Sequence, residues 1–314
     1  SFPVSFAMSA LFDRIPSFSF EFFPPKTPEG AASLLETVVT LQEFNPSFVS
    51  VTYGAGGSSR GLTRSVVHDM QSRGIPTVPH LTCVGHTEAE IEEILHGYIS
   101  AGARAIMALR GDPPRNVPYD PAQDAFRHAA DLVRFIRNWE ERQRLPYHLS
   151  IGVAGFPEGH PDSRNRLREM DFLKAKVDEG ADYICTQLFF DNHAFFDFRD
   201  RCRIMDINVP IIAGIMPVTS ISSMNRMAEL SAGTNFPARL LKAMLRAGGD
   251  KSSIERIGIN YASNQCSELL DADVEGIHFY TLNKSKATLE IYHNLGFNNY
   301  FDLERLRILN KVYR

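Results

Sequence analysis

The chain has 314 residues, 44% of them hydrophobic, with 33 basic and 37 acidic side chains giving a formal charge of -4. That balance, spread along the chain without a basic stripe, argues against nucleic acid or membrane as a partner and favours small-molecule chemistry. The length suits two ordinary domains or one α/β barrel, and no apolar run reaches the length of a membrane span.

Residues 1–16 read as an N-terminal extension whose opening Ser1 to Ala10 has no basic segment ahead of its apolar residues, unlike a secretory signal. Ser17 to Lys26, S-F-S-F-E-F-F-P-P-K, then gives the first strand: Phe18, Phe20, Phe22 and Phe23 mark it, and Pro24-Pro25 ends it. Glu21 is the exception in this run. A carboxylate at the end of a buried strand is costly unless paired, hydrogen-bonded or protonated, so its pKa is expected to be raised, as suits a general acid. The alternative is a salt-bridged glutamate on a barrel rim.

Thr27 to Phe44 reads as a helix with Leu34, Leu35, Val38, Val39 and Leu41 on or near one face, followed by a strand Phe48 to Tyr53 closed by Gly54. A helix from Gly61 to Arg73 leads to a third strand, Thr77 to Thr82. Thr87 with Glu90 forms a capping box for the next helix, and Ala105 to Leu109 is an apolar strand of the kind buried on both faces. Ala125, Ala129, Leu132, Val133 and Ile136 share a helical face before strand five, Leu149 to Ala154. Leu167, Met170, Leu173 and Val177 form another stripe before strand six, Tyr183 to Phe189. Strand seven is Pro210 to Met216, a helical insertion covers Ser220 to Ala272, strand eight is Ile277 to Leu282, and a helix from Ala287 to Leu295 closes the set.

Eight strands alternating with helices through glycine-marked loops predict a single-domain α/β fold, a (β/α)8 TIM barrel over residues 17–314. A doubly wound open sheet is the alternative, but no strand is followed by a G-x-G-x-x-G turn. Cys83, Cys185, Cys202 and Cys266 lack C-x-x-C spacing, which points to reduced thiols in a cytoplasmic compartment and to no structural zinc. At the strand C-termini, where barrel chemistry sits, the sequence puts Glu21, Thr52, Tyr53, His80, Arg110-Gly111-Asp112-Pro113-Pro114, Phe156, Glu158, His160, Gln187, Met216, Tyr280 and Lys284. No metal-ligand set and no Ser-His-Asp arrangement stands out among them.

S-F-E-F-F-P-P-K, F-V-S-V-T-Y-G-A, P-H-L-T-C, A-L-R-G-D-P-P, G-F-P-E-G-H-P, K-V-D-E-G-A-D-Y-I-C-T-Q-L-F-F-D, I-I-A-G-I-M-P-V and F-Y-T-L-N, in this order, closely resemble methylenetetrahydrofolate reductases. The resemblance runs from Ser17 to Phe297. It implies an FAD enzyme that takes hydride from NADH or NADPH and passes it to 5,10-methylenetetrahydrofolate in a ping-pong course, giving 5-methyltetrahydrofolate. It makes Glu21 the general acid and Asp112 the carboxylate beside flavin and pterin, although an aspartate before Pro113 also suits a plain turn. Gln187, Tyr280, Leu282, Lys284, Ser223 and Met227 would bind substrate. Gln187 could instead only order its loop, and Tyr280 and Leu282 could be core.

For FAD the resemblance points to Thr52, His80, Leu109, Arg110, Gly111, Asp112, His128, Ala129, Phe156, His160, Glu169 and Lys176. Lys176 could equally be a solvated helix lysine, and both histidines satisfied rim residues. Several positions depart from the family pattern. Phe156 replaces a tyrosine, and Glu169 an aspartate, with Asp171 near enough to compete for the assignment. Ser223 and Met227 stand where bacterial relatives often have glutamine and phenylalanine, and Lys284 replaces an arginine. The resemblance also implies a dimer or tetramer, and a chain that stops at Arg314, soon after the barrel closes, is expected to lack the separate regulatory domain of larger relatives. A proline-dehydrogenase-like FAD barrel, a flavin-free hydride-transferring relative and a silent folate- or flavin-binding module are the competing expectations.

Overall fold

The computed structural model describes residues 11–53, 60–113, 118–160, 163, 165–231 and 233–313; Gly54, Ala55, Pro114, Pro161, Arg314 and the first ten residues lie outside them. Eight parallel strands, β1 (Ser17–Phe22), β2 (Phe48–Val51), β3 (Thr77–Thr82), β4 (Ala105–Leu109), β5 (Ser150–Gly155), β6 (Tyr183–Thr186), β7 (Ile211–Ile215) and β8 (Gly276–Tyr280), close into a barrel in sequence order. β1 pairs with β8 as it does with β2, so Glu21 stands opposite both Ser50 and Tyr280. This is the (β/α)8 barrel that the alternation predicts.

The surrounding helices among the described residues are α1 (Pro28–Gln42), α2 (Arg60–Ser72), α3 (Glu88–Ser100), α4 (Ala129–Gln143), α5 (Arg166–Asp178), α6 (Asn192–Ile204), α7 (Ile221–Leu230), α8 (Ala238–Arg246), α9 (Lys251–Asp271), α10 (Lys286–Asn294) and α11 (Tyr300–Tyr313). The capping box of α3 is present, with Glu90 N donating to Thr87 Oγ1 at 3.2 Å and Thr87 N to Glu90 Oε2 at 2.9 Å.

β3 and β4 have the expected bounds, whereas β2, β6 and β8 stop two or three residues early, because their last residues turn into the loops that build the mouth. The insertion after β7 is three helices, broken at Pro237 and at Gly248-Gly249. Two helices were not read from the sequence, α6 and α11. Ala125 precedes α4 and is exposed. Leu35, Val39 and Leu167 are also exposed, and Thr37 takes a place in the buried stripe of α1 with Leu34, Val38 and Leu41.

Strand alternation makes two cores. Outward residues of β1, Phe18, Phe20 and Phe22, are 1% exposed or less and join the helices in the main core. There Phe18 meets Tyr292 edge-on at 5.8 Å and Phe20 tilts against Phe279 at 6.1 Å. Inward residues Phe48, Val78, Ala105, Met107, Tyr183, Cys185 and Ile212 fill the lumen. Leu11 and Phe12 join them, Phe12 lying 5.1 Å from the Tyr183 ring. α11 fastens this end: Arg307, 3% exposed, donates Nε to Pro16 O at 3.1 Å and lies over the Phe18 ring.

Candidate active site at the C-terminal mouth of the barrel

The same alternation that sends the phenylalanines outward sends Ser19 and Glu21 inward. Glu21 Oε2 lies 3.4 Å from His80 Nε2, 3.6 Å from His278 Nε2, and accepts a hydrogen bond from Ser50 Oγ at 3.4 Å. Its expected phenylalanine setting is therefore corrected to two imidazoles and a hydroxyl. The pKa expectation changes sign with it. Burial pushes the carboxyl up, but the hydrogen-bonding contact from His278, the electrostatic pull of the His80 and His278 imidazoles and the Ser50 hydroxyl outweigh burial and hold it below the ordinary glutamate range. Burial pushes His80 down, partly offset by Glu21. His80 Nε2 is buried without a hydrogen-bond partner among the described residues.

The T-L-N turn after β8 locks this arrangement to β1. Thr281 Oγ1 donates to Glu21 O at 2.7 Å, Asn283 Nδ2 donates to Phe23 O at 2.8 Å, and Phe23 N donates to Asn283 Oδ1 at 2.9 Å. Thr37 Oγ1 on α1 donates to Asn283 O at 3.0 Å. Leu282 and Asn283 adopt φ of 50° and 59°, a left-handed conformation costly for a side chain with a Cβ. These bonds hold Leu282 out into solvent, 43% exposed, at the mouth above Glu21. Lys284 follows it, also exposed.

On the opposite side, Val84 N donates to Arg110 O at 2.9 Å and pins the loop after β4. Gly111 there has φ +83°, and a Cβ on it would lie 2.8 Å from Thr82 Cβ, so any larger residue is strained and must displace its neighbour. Asp112 next to it is exposed, while Leu109 and Arg110 are half-buried. Thr52, half-buried, continues β2 through its N–H to Phe22 O at 2.9 Å.

Around β5, Phe156 meets His160 edge-on at 4.8 Å, and Lys176 Nζ stands 6.0 Å from the Phe156 ring while donating to Ala154 O at 2.6 Å. Lys176 is thus no solvated helix lysine: burial pushes its amine down to about 8, offset in part by Glu169. Glu169 faces this loop and has a buried Oε1 with no hydrogen-bond partner among the described residues, whereas Asp171 is exposed. His128, at the N-cap of α4, stacks on Phe172 at 5.1 Å, and Ala129 follows it. Phe172 and Lys176 share a face of α5.

Three sequence candidates each have a side-chain polar atom already engaged. Tyr280 OH donates to Thr186 O at 2.7 Å across Gly214, whose missing side chain leaves room for the ring. Gln187 Oε1 accepts from Leu188 N at 3.3 Å, in line with its loop-ordering alternative. Ser223 completes the capping box of α7 with the N-cap Ser220, donating Oγ to Ser220 O at 2.8 Å. Met227 is buried with Met216, Leu188 and Leu240 beneath the mouth. His278 and Ser50 were missed by sequence reasoning. The available signal was period two: His278 lies two residues before Tyr280 on the same strand face.

The methylenetetrahydrofolate reductase family model matches residues 8–296. The chain is 37% identical over 291 residues to methylenetetrahydrofolate reductase (NADH) 1 of Arabidopsis thaliana, covering 89% of this chain and 48% of that protein. It is 36% identical over 279 residues to 5,10-methylenetetrahydrofolate reductase of Escherichia coli, covering 88% of this chain and 90% of that one. It therefore spans about half the length of the plant relative and most of the bacterial one. A solved structure of a Clostridium thermocellum protein that binds two copies of 5-methyl-5,6,7,8-tetrahydrofolic acid shares the fold, with a TM-score of 0.63, 15% identity and coverage of 91% of this chain and 96% of that one. With the family model matched across nearly the whole barrel and relatives above one-third identity, the chain belongs to the methylenetetrahydrofolate reductase family.

Proposed function

We propose that this chain reduces 5,10-methylenetetrahydrofolate to 5-methyltetrahydrofolate with NADH or NADPH, using FAD. The observation that carries the reading is the ionisable carboxylate of Glu21 set at the mouth of a barrel of this family, among His80, His278 and Ser50. The residues present fit the cofactor. Gly111 leaves its backbone bare, His80 Nε2 and Glu169 Oε1 are buried without hydrogen-bond partners among the described residues, and Lys176 and Arg110 supply positive charge for a pyrophosphate. Thr52, Leu109, Asp112, His128, Ala129, Phe156 and His160 complete the set that would hold it. When bound, FAD supplies a reversible hydride store that lets two substrates use one site in turn.

Opening the five-membered ring towards the 5-methyl product breaks the bond between the bridging methylene and N10, so the departing N10 needs a proton and a cationic iminium is left on N5. Glu21 gives that proton. In the open site its carboxyl is held low; a folate ring over the mouth excludes water and strengthens the opposing effect of burial, favouring the protonated form. Asp112, exposed beside the mouth, stabilises the cation. Leu282, pressed outward by the T-L-N turn, walls the substrate.

Anaerobic absorbance tests this directly. The purified protein should show a flavin spectrum, bleach on addition of NADH or NADPH, and recover on addition of methylenetetrahydrofolate. A protein that FAD cannot reconstitute would favour a flavin-free relative. Bleaching without recovery would remove folate as the acceptor.

A further inference from the structure

His278 is 2% exposed, and both its ring nitrogens are engaged: Nδ1 with Ser19 Oγ at 2.7 Å and Nε2 with Ser50 Oγ at 3.2 Å. Phe48 stacks on the imidazole at 5.7 Å and Tyr280 meets it edge-on at 5.4 Å, so the ring is held in one orientation. Nε2 points towards the carboxylate, 3.6 Å from Glu21 Oε2.

One tautomer satisfies every partner. If Ser19 donates to Nδ1, the proton stays on Nε2, facing Ser50 and Glu21, and Ser50 is free to donate its own hydroxyl proton to the carboxylate. The other tautomer would set a lone pair against Glu21 and use the Ser50 proton on the imidazole, leaving the carboxylate with two fewer donors. Glu21 is otherwise faced by His80 from β3, Cys185 from β6 and Tyr280 from β8. Burial pushes the Cys185 thiol and the Tyr280 phenol up, keeping both neutral, and pushes His80 down.

We propose that His278, held in its Nε2–H tautomer by Ser19, is the positioning residue that sets the orientation and protonation of Glu21. The proposal rests on reading Glu21 as the acid, but it can be tested without any substrate. Infrared difference spectroscopy of the carboxyl stretch, with Glu21→Gln as the blank, gives the Glu21 midpoint in the wild type and in His278→Leu, His278→Gln and Ser19→Ala.

Loss of the N–H donor in His278→Leu should raise the midpoint by at least about one pH unit. Ser19→Ala should raise it less, in the same direction. His278→Gln, which keeps an amide N–H near the place of Nε2, should restore part of the difference. Equal midpoints in wild type and His278→Leu, or equal ones in the leucine and glutamine variants, would overturn the assignment. Should the leucine variant not fold, Ser19→Ala decides alone, because it removes one hydroxyl, and an unmoved midpoint there sinks the proposal. Failure of the reductase reading would show separately, as wild-type flavin that folate never reoxidises while the carboxyl midpoints still move.

Discussion

At its N-terminal end the lumen is filled by Phe48, Val78, Tyr183 and Ile212, with Leu11 and Phe12 beneath. Two residues further along the same strands it holds Ser50, His80, Cys185 and Gly214, and Glu21 and Tyr280 stand level with them. One pleat period, about 6.6 Å of strand, thus separates a plug from a site. The lower layer needs volume and has little use for polar atoms. The upper layer gives up volume so that a carboxylate, two imidazoles and a tyrosine can meet. Stability and chemistry should therefore respond to different substitutions.

The largest effect is expected in the plug. Ile212, fully buried, should cost about 3 kcal/mol on Ile212→Ala, read from the urea midpoint, with both half-reactions intact in the folded protein. Comparable loss of the folate step would break the separation. In the upper layer, Glu21→Gln should cut folate reduction at least ~100-fold while nicotinamide still bleaches the flavin, as rapid-mixing kinetics would show. Equal loss of both half-reactions would make Glu21 a structural residue.

Gly111→Ala should cost about 1–2 kcal/mol of thermal stability, from its left-handed backbone and the close Thr82 side chain, and should weaken FAD retention on gel filtration. Lys176 should report through pH. Its folded amine titrates near 8 while the unfolded chain keeps the proton into the ordinary lysine range. Between those values the unfolded state binds more protons, so stability should rise with pH. Lys176→Met should flatten that rise in cofactor-free protein, and an unchanged slope would deny the buried amine. The smallest change belongs to Tyr183→Phe. Its hydroxyl is buried without a partner among the described residues, so removing it should be neutral or stabilising by up to about 1 kcal/mol in the urea midpoint.

The barrel was legible because each strand is a short apolar run set off by turn residues, and because the helices between carry stripes such as Ile91, Ile94, Leu95 and Tyr98. α6 escaped although Asp191 caps it and Phe195, Phe198 and Cys202 repeat at helical spacing; α11 escaped because its exposed face carries Phe301, Ile308 and Val312, which blur its amphipathic pattern. Glu21 was found by its charge in an apolar run, but the direction of its pKa was misjudged by counting neighbours in sequence. Phe20 and Phe22 lie on the other side of the sheet, while Ser50, His80 and His278 come from three other strands. Such partners become visible only once register is known. Gln187 shows the same limit: an amide at a strand end does not reveal whether a ligand or its own loop will engage it.

The T-L-N turn also bears on how the protein is made. Within the barrel, Glu21 is synthesised well before Thr281 and Asn283, which clasp Glu21 and Phe23 and lie 260 positions later. A nascent barrel must carry its acid through the synthesis of seven further strands without the groups that fix its charge and direction, and barrels truncated before β8 should expose an unpaired edge at β1 for chaperones to cover. Activity would then switch on in a single late event, when the final strand docks, with no gradual increase as the barrel lengthens.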